Sequence, residues 1–375
     1  MRKPLEHIKV LDFTRVLAGP YCTMILANMG AEIIKIERPG SGDDSRDFGP
    51  FMNGQSAYFV SLNRGKKSIA LDLKSPKAIE LVKELVKEVD IVAENFRPGT
   101  MEKLGLGYEE LKKINPRLIF ATMSGFGQTG PYSRRPAYDM IVQGMGGIMS
   151  ITGEKGGAPV RVGTSVGDIT AGLFGTIGVL AALVDREISG EGRMVDVAML
   201  DGQLSILENA ISRYTATGEV PKPLGARHPS ITPFEAYKTK DSYVIIACGN
   251  DALWGKFCKL VGREDLLAMD IFKTNPDRTK NVDELKKYMD EIFGQKTTAE
   301  WDEYLNKNGI PCSPINTIDK LFTDPQIAAR KMLVEVEQPG VGKIKIAGNP
   351  IKISGMEEEI PKDPAPQIGE HNDLI

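Results

Sequence analysis

The sequence predicts an α/β protein: one large domain with a mostly parallel sheet and helical crossovers, and a second, smaller domain. Three observations carry that expectation. Strand-like and helix-like hydrophobic patterns alternate from His7 to Thr122, as in a parallel sheet whose strands are joined by helices. The 375 residues are too many for a single small core, since domains mostly run to about 100–200 residues. The pattern then changes, and Pro221–Pro233 is rich in proline and glycine, as at a domain boundary.

The elements follow in order. His7–Phe13 reads as a strand, and Pro20–Met29 as a helix closed by Gly30 at its C′ position. Ala31–Glu37 and Ser68–Leu73 are strands, the first with Ile33, Ile34 and Ile36. Ser75 precedes a helix with Pro76 at its first position, and Ile79, Val82, Val86 and Val89 recur at helical spacing. Ile91–Glu94 and Leu118–Thr122 complete the alternation. A glycine-rich loop, Gly125 to Pro131, leads to a helix starting near Tyr138, and a second loop spans Gly153–Pro159. Ile169–Glu187 is a helix of small and apolar residues, and Val195–Ala216 reads as another long helix. Ala236–Ala247 is a hairpin turning at Lys240-Asp241, and helical patterns dominate from Leu253 to Asn308. Phe322–Ala329 reads as one more helix, Leu333–Ile353 alternates like strands, and the acidic, proline-bearing tail after Gly355 reads as an extended arm.

Composition excludes several functions. A net charge of -3 offers no field for nucleic acid or an acidic membrane surface, so any anion site must be a local cluster. The four cysteines stand far apart and only three histidines occur, which argues against a metal site or a disulfide framework. The N-terminus lacks a signal-peptide apolar core. The stretch Ala171–Val184 is shorter than a membrane span and holds three glycines, Gly172, Gly175 and Gly178. The expectation is a soluble, cytoplasmic protein. No Gly-x-x-x-x-Gly-Lys-Ser/Thr loop, no Gly-x-Gly-x-x-Gly after the first strand and no His-Glu-x-x-His is present.

What remains is a set of strand-end segments with basic and small residues: Thr14 to Pro20, Lys35 to Gly42, Leu62 to Lys67 and Glu94 to Gly99. Ligands of an open parallel sheet sit beyond the carboxyl ends of its strands. There glycine admits close backbone approach, and Arg or Lys can grip phosphate. By pattern alone these segments read more readily as ordinary polar loops. Asp139, ahead of an apolar helical run, has two readings: a helix-dipole aspartate or a carboxylate nucleophile. Spacing does not separate them.

The same segments resemble class III CoA-transferases, the family of the formyl-CoA:oxalate and crotonobetainyl-CoA:carnitine enzymes. The resemblance runs in order through Val10 to Pro20, Gly30 to Glu37, Asn95 to Gly99 and Gly125-Phe126-Gly127-Gln128. It continues through Val195 to Asp201, His228 to Phe234, Gly309 to Cys312 and Ala365 to His371. It implies a large Rossmann-like domain from residues 1–200 and 325–375, a linking helix and connection at 201–224, and a smaller α+β domain at 225–324. It implies an interlocked homodimer. It implies Asp139 as the covalent nucleophile and Val16, Arg38, Leu71, Asn95, Phe96 and Lys103 as residues around coenzyme A. The substrates implied are acyl-CoA and small carboxylic acids, with no permanently bound cofactor, no metal, no nucleic acid and no membrane. Ser124 stands where the formyl-CoA enzyme has a lysine, and His228-Pro229-Ser230 stands in the region of that enzyme's glycine-rich lid. The implied reaction moves CoA through an aspartyl mixed anhydride and an enzyme–CoA thioester. Two alternatives stay open: an α-methylacyl-CoA racemase of the same fold, and a CoA-binding protein without catalysis. In the racemase branch a histidine works with the aspartate, and no histidine lies between His7 and His228 here. The presence of Asp139 argues against the second alternative.

Overall fold

The computed structural model describes residues 2–356 and 360–374. Residues 1–149, 161–220 and 325–375 form one compact unit, and residues 150–160 and 221–324 form the other. The helix Glu208–Thr217, within the stretch expected to link two domains, counts with the larger unit up to Val220.

The larger unit is built on a six-stranded parallel sheet: β1 (Lys9–Asp12), β2 (Glu32–Glu37), β3 (Lys67–Ala70), β4 (Ile91–Glu94), β5 (Ile119–Ser124) and β6 (Met194–Ala198). The spatial order is β3-β2-β1-β4-β5-β6, the doubly wound order in which the chain reverses direction of growth between β1 and β4. Strand period two sorts the core into two faces. Val10, Ile33, Ala93 and Ala121 point to one side, against the helices Ala18–Asn28 and Val166–Ser189. Leu11, Phe13, Ile36, Val92 and Phe120 point to the other, against Val82 and Val86 of the helix Pro76–Val86 and against Leu111. Full burial of each such Val or Leu stabilises by roughly 1.5–3 kcal/mol. Gly172 lets the long helix Val166–Ser189 lie against the start of its neighbour. A β-carbon there would stand 2.7 Å from the carbonyl oxygen of Ala18.

The long helix is apolar enough to cross a membrane by length and composition, but half of its most apolar window is buried in this fold. Ser75 occupies the N-cap of the helix Pro76–Val86 without donating or accepting a capping bond. Three expectations need correction. Val195–Ala216 is not one helix. Met194–Ala198 is the sixth strand, paired with Phe120–Ser124, and two helices follow at Met199–Ser205 and Glu208–Thr217. The stretch from Phe322 to Ala329 is helical only over Pro325–Ala329, preceded by a separate turn of helix at Ile318–Leu321. The C-terminal arm is packed where it is described. Ile360 and Ala365 are buried, the Ala365 N–H donates to Gln338 Oε1 at 2.9 Å, and the His371 N–H donates to the Ser68 carbonyl at 2.9 Å. Glu357–Glu359, the most acidic part of that tail, lie outside the described residues.

In the smaller unit the expected hairpin is present, Phe234–Lys238 against Tyr243–Ala247, with Cys312–Pro314 added antiparallel. Helices including Asp251–Leu260, Val282–Phe293 and Thr298–Lys307 cover it around Trp254, Phe257, Phe293 and Trp301. Thr297 and Glu300 form a capping box at the start of the last of these.

Candidate active site

The reversal between β1 and β4 leaves a crevice at their carboxyl ends, where the loops after both strands meet. Asn95 ties them together. Its Oδ1 accepts the Arg15 N–H at 2.8 Å, and its Nδ2 donates to the Arg15 carbonyl at 2.7 Å. The next residue, Val16, has φ +67°, a left-handed conformation that a β-branched side chain adopts at a cost on the order of 1–3 kcal/mol. Asp43 holds it there by accepting the Val16 N–H at 3.1 Å.

Asp43 belongs to a charged layer beneath the crevice. Its carboxylate pairs with Lys35 Nζ at 2.9 Å with both side chains fully buried. Burial works to raise the Asp43 pKa, but Lys35 and the Ser45 hydrogen bonds outweigh it and hold it at about 2. Lys66 pairs with Asp12 at 3.3 Å, again fully buried, and desolvation presses the Lys66 pKa down to about 8. Arg46 grips Glu37 through two nitrogens, at 2.8 and 2.6 Å. These pairs fix the loops after β1 and β2 in one geometry, because losing one partner would strand a buried charge.

Two cavities open on this layer. The first, of about 200 Å³, is lined by Arg15, Arg38, Leu71, Lys74, Phe96 and Leu104 among others. It brings together three expected CoA residues: Arg38, Leu71 and Phe96. The second, of about 220 Å³, is lined by Val16, Asn95, Phe96, Arg97, Ser124, Arg135 and Asp168 among others. Arg15 and Phe96 line both, with the Arg15 guanidinium 5.1 Å from the Phe96 ring centre. Arg15, Arg38 and Lys74 with an apolar wall at the first cavity suit a phosphorylated nucleotide. Lys103 is exposed at the end of the short helix Thr100–Lys103 and lines neither cavity.

Asp139, the nucleophile that the resemblance implies, lies off both cavities. It starts the helix Asp139–Met145 and is 8% exposed. Its Oδ1 accepts the Gly167 N–H at 2.9 Å, its Oδ2 accepts Gln143 Nε2 at 2.7 Å, and it lines neither cavity. Gln143 is itself fully buried and accepts the Val162 N–H at 2.8 Å. Two carboxyls line the second cavity: Asp44, paired with Arg15 at 3.1 Å, and Asp168, in the first turn of the long helix and one residue beyond the Gly167 N–H that Asp139 accepts. Asp168 makes no hydrogen bond among the described residues. Burial, and then the charge of Asp139, push its pKa up to about 7. Burial followed by the charge of Asp168 also pushes the Tyr58 hydroxyl up. Sequence reasoning missed Asp168 because an acid in the first turn of an apolar helix is the ordinary dipole pattern.

The remaining nucleophile candidates are set aside. All four cysteines are free, and burial pushes each thiol up to about 12, far from the thiolate needed for attack. No histidine lines either cavity. His228 stacks on Phe234 at 5.2 Å, and its Nδ1 accepts the N–H groups of Ser230 and Ile231 at 3.1 Å each. It holds a loop of the smaller unit.

A model of CoA-transferase family III matches residues 5–372. The chain belongs to CoA-transferase family III. Within the family, the acetyl-CoA:oxalate CoA-transferase of Acetobacter aceti is 44% identical over 98% of this chain and 93% of its own length. The succinyl-CoA:glutarate CoA-transferase of Homo sapiens is 39% identical over 100% of this chain and 85% of its own. A crystal structure of a CAIB/BAIF family protein from Brucella suis superposes with a TM-score of 0.87 at 39% identity, covering 100% of this chain and 98% of that one. This family III chain is therefore an enzyme that transfers CoA, and its acyl-CoA and carboxylic acid substrates follow from that activity.

Proposed function

We propose that Asp168, rather than Asp139, is the nucleophile of the transfer. The observation that carries this reading is the division of labour between two neighbouring carboxylates: each oxygen of Asp139 accepts one N–H away from the cavities, and Asp168 faces the cavity with no described donor. A carboxylate starved of solvent and donors is more basic and more nucleophilic than one in water. The acyl-CoA lies with its nucleotide end near Arg38 and its thioester at Asp168. The Asp168 carboxylate attacks the thioester carbonyl and CoA thiolate leaves, giving an aspartyl–acyl mixed anhydride. The thiolate then attacks the aspartyl carbonyl, expelling the first acid as its carboxylate and leaving an Asp168–CoA thioester. The acceptor carboxylate attacks that thioester and releases thiolate, which attacks the acceptor's own carbonyl. Acceptor-CoA departs and Asp168 is regenerated.

Relatives named for oxalate and glutarate use dicarboxylic acids by name, and we extend that class to this chain: at least one of its two acids is a short dicarboxylate. The active form is a homodimer, interlocked as the family resemblance implies. An apolar stripe on the long helix supports a covering partner: Leu173, Ile177, Val184 and Ile188 share one face and are exposed in the single chain.

The test is incubation with succinyl-CoA, followed by peptide mass spectrometry. CoA or acyl mass, trappable by hydroxylamine, is expected on the peptide holding Asp168, and Asp168→Ala should abolish both adduct and transfer. Adduct on Asp139, or full transfer by Asp168→Ala, would return the role to Asp139 or to another group.

A further inference from the structure

Transferring CoA between dicarboxylic acids poses a problem that the nucleophile does not solve. The second carboxylate of each acid must be held away from Asp168, in a cavity that already contains one acid. We propose that Arg135 holds it: its guanidinium reads the distal carboxylate of the acid whose other end reacts at Asp168. The proposal rests on the substrate class and the nucleophile given above.

Three arginines line the cavity with Asp168: Arg15, Arg97 and Arg135. Arg15 is committed, with its NH1 3.1 Å from Asp44 Oδ2 and its guanidinium over Phe96. Arg97 sits on the turn that carries Phe96 towards the nucleotide cavity. Arg135, like Arg97, is exposed and pairs with no described carboxylate, but of the two only Arg135 has a described ring contact. Its guanidinium lies 3.8 Å from the centre of the Tyr132 ring, and its N–H donates to the Tyr132 carbonyl at 2.8 Å. Tyr132 in turn packs edge-on against the buried Phe126, with ring centres 6.0 Å apart.

The loop itself is seated by a close approach. At Gly125, just past β5, a β-carbon would stand 2.2 Å from the Ala137 methyl, so only glycine lets the segment from Tyr132 to Ala137 lie against the strand end. Stacking occupies the face of the guanidinium and leaves its N–H edge free. That edge is the part that binds a carboxylate bidentately. The cation is therefore positioned and unpaid by any protein acid, at the wall of a cavity whose reactive group is a carboxylate. Its 220 Å³ is below the range of drug-sized pockets, roughly 300–1,000 Å³, and suits an acid of a few carbons.

The experiment compares acceptors that differ only in the second carboxylate. Glutarate and butyrate are assayed as acceptors from succinyl-CoA, and succinyl-CoA and butyryl-CoA as donors, with the wild-type chain and with Arg135→Gln, Arg135→Lys and Tyr132→Leu. Losing one charge-assisted pair costs roughly tenfold or more in affinity. The KM for glutarate should rise by about that factor in Arg135→Gln, well beyond any change for butyrate, with kcat changing much less than KM. Arg135→Lys should recover part of the loss, and Tyr132→Leu should lose part of it while keeping the charge. Equal losses for glutarate and butyrate would mean a merely structural loop and would overturn the proposal. An unchanged glutarate KM, or a wild-type preference for butyrate, would overturn it as well. The covalent adduct is read in the same samples. Adduct on Asp168 in Arg135→Gln keeps the nucleophile assignment standing whichever way the KM values fall, and its absence from wild type sinks that assignment separately.

Discussion

Replacing Asp168 by asparagine should stabilise the protein, and by an amount that depends on pH. In an unfolded chain this aspartate titrates near 3.8, and in the folded protein burial and the Asp139 charge push it up to about 7. Between those values the native state holds a proton that the unfolded chain has released. Stability therefore falls as pH rises through that window and levels off above about 7. The gap of about 3 pH units, at 1.36 kcal/mol each, amounts to roughly 4 kcal/mol of destabilisation at pH 8. At pH 5 only about a third of that gap has been crossed. Asp168→Asn is nearly isosteric and cannot ionise, so it escapes the whole penalty. Urea unfolding of wild type and variant at both pH values reads the effect as a shift in midpoint at constant m-value. The variant's advantage should be larger at pH 8 by roughly 2–3 kcal/mol. An advantage equal at both pH values, or a variant less stable than wild type at pH 8, would refute the reasoning, because Asp168 would then not be a desolvated acid.

The same charge coupling predicts a kinetic effect. Only ionised Asp168 attacks, so kcat/KM for the donor should fall as pH drops below about 7. The Asp139 charge is the second cause of that value after burial, so Asp139→Asn should move the acid limb down by on the order of one pH unit. A limb that stays in place or moves up contradicts the coupling. Dilution tests the assembly: sedimentation across a wide concentration range should show only dimer, since threaded subunits cannot part without unfolding, and a folded monomer at low concentration would contradict the interlocked arrangement.

Most of the larger unit was legible because its strands are buried on both faces and its helices show one apolar stripe. The crevice followed from the same reading, since strand order places ligands at the carboxyl ends of β1 and β4, where the Arg15–Asn95 clamp lies. The failures have physical causes. Met194–Ala198 becomes a strand because Phe120–Ser124 offers it an edge, a long-range fact that no local period contains; five residues followed at once by helix formers merge with them. The C-terminal arm looked unpacked by composition, but its backbone and side chains find partners on Gln338 and Ser68, hundreds of residues away in part. Lys103 fits the resemblance by position, yet its helix turns it outward while Leu104 beside it faces the cavity.

The two aspartates show where local pattern stops. Asp139 and Asp168 each open a helix with apolar residues behind them, and each is equally a dipole acid or a nucleophile on that evidence. Their difference arises only when the helices meet. The Gly167 N–H, one residue before Asp168, is spent on Asp139, and Gln143, one turn beyond Asp139, closes the other side. Each donor given to Asp139 occupies an oxygen that would otherwise be open to a substrate carbonyl. Burial and then the Asp139 charge raise the proton affinity of Asp168, whose side chain has no described donor. On the proposed reading, the member of this pair that holds two donors positions the other, and the reactive member is the one the fold leaves without a donor.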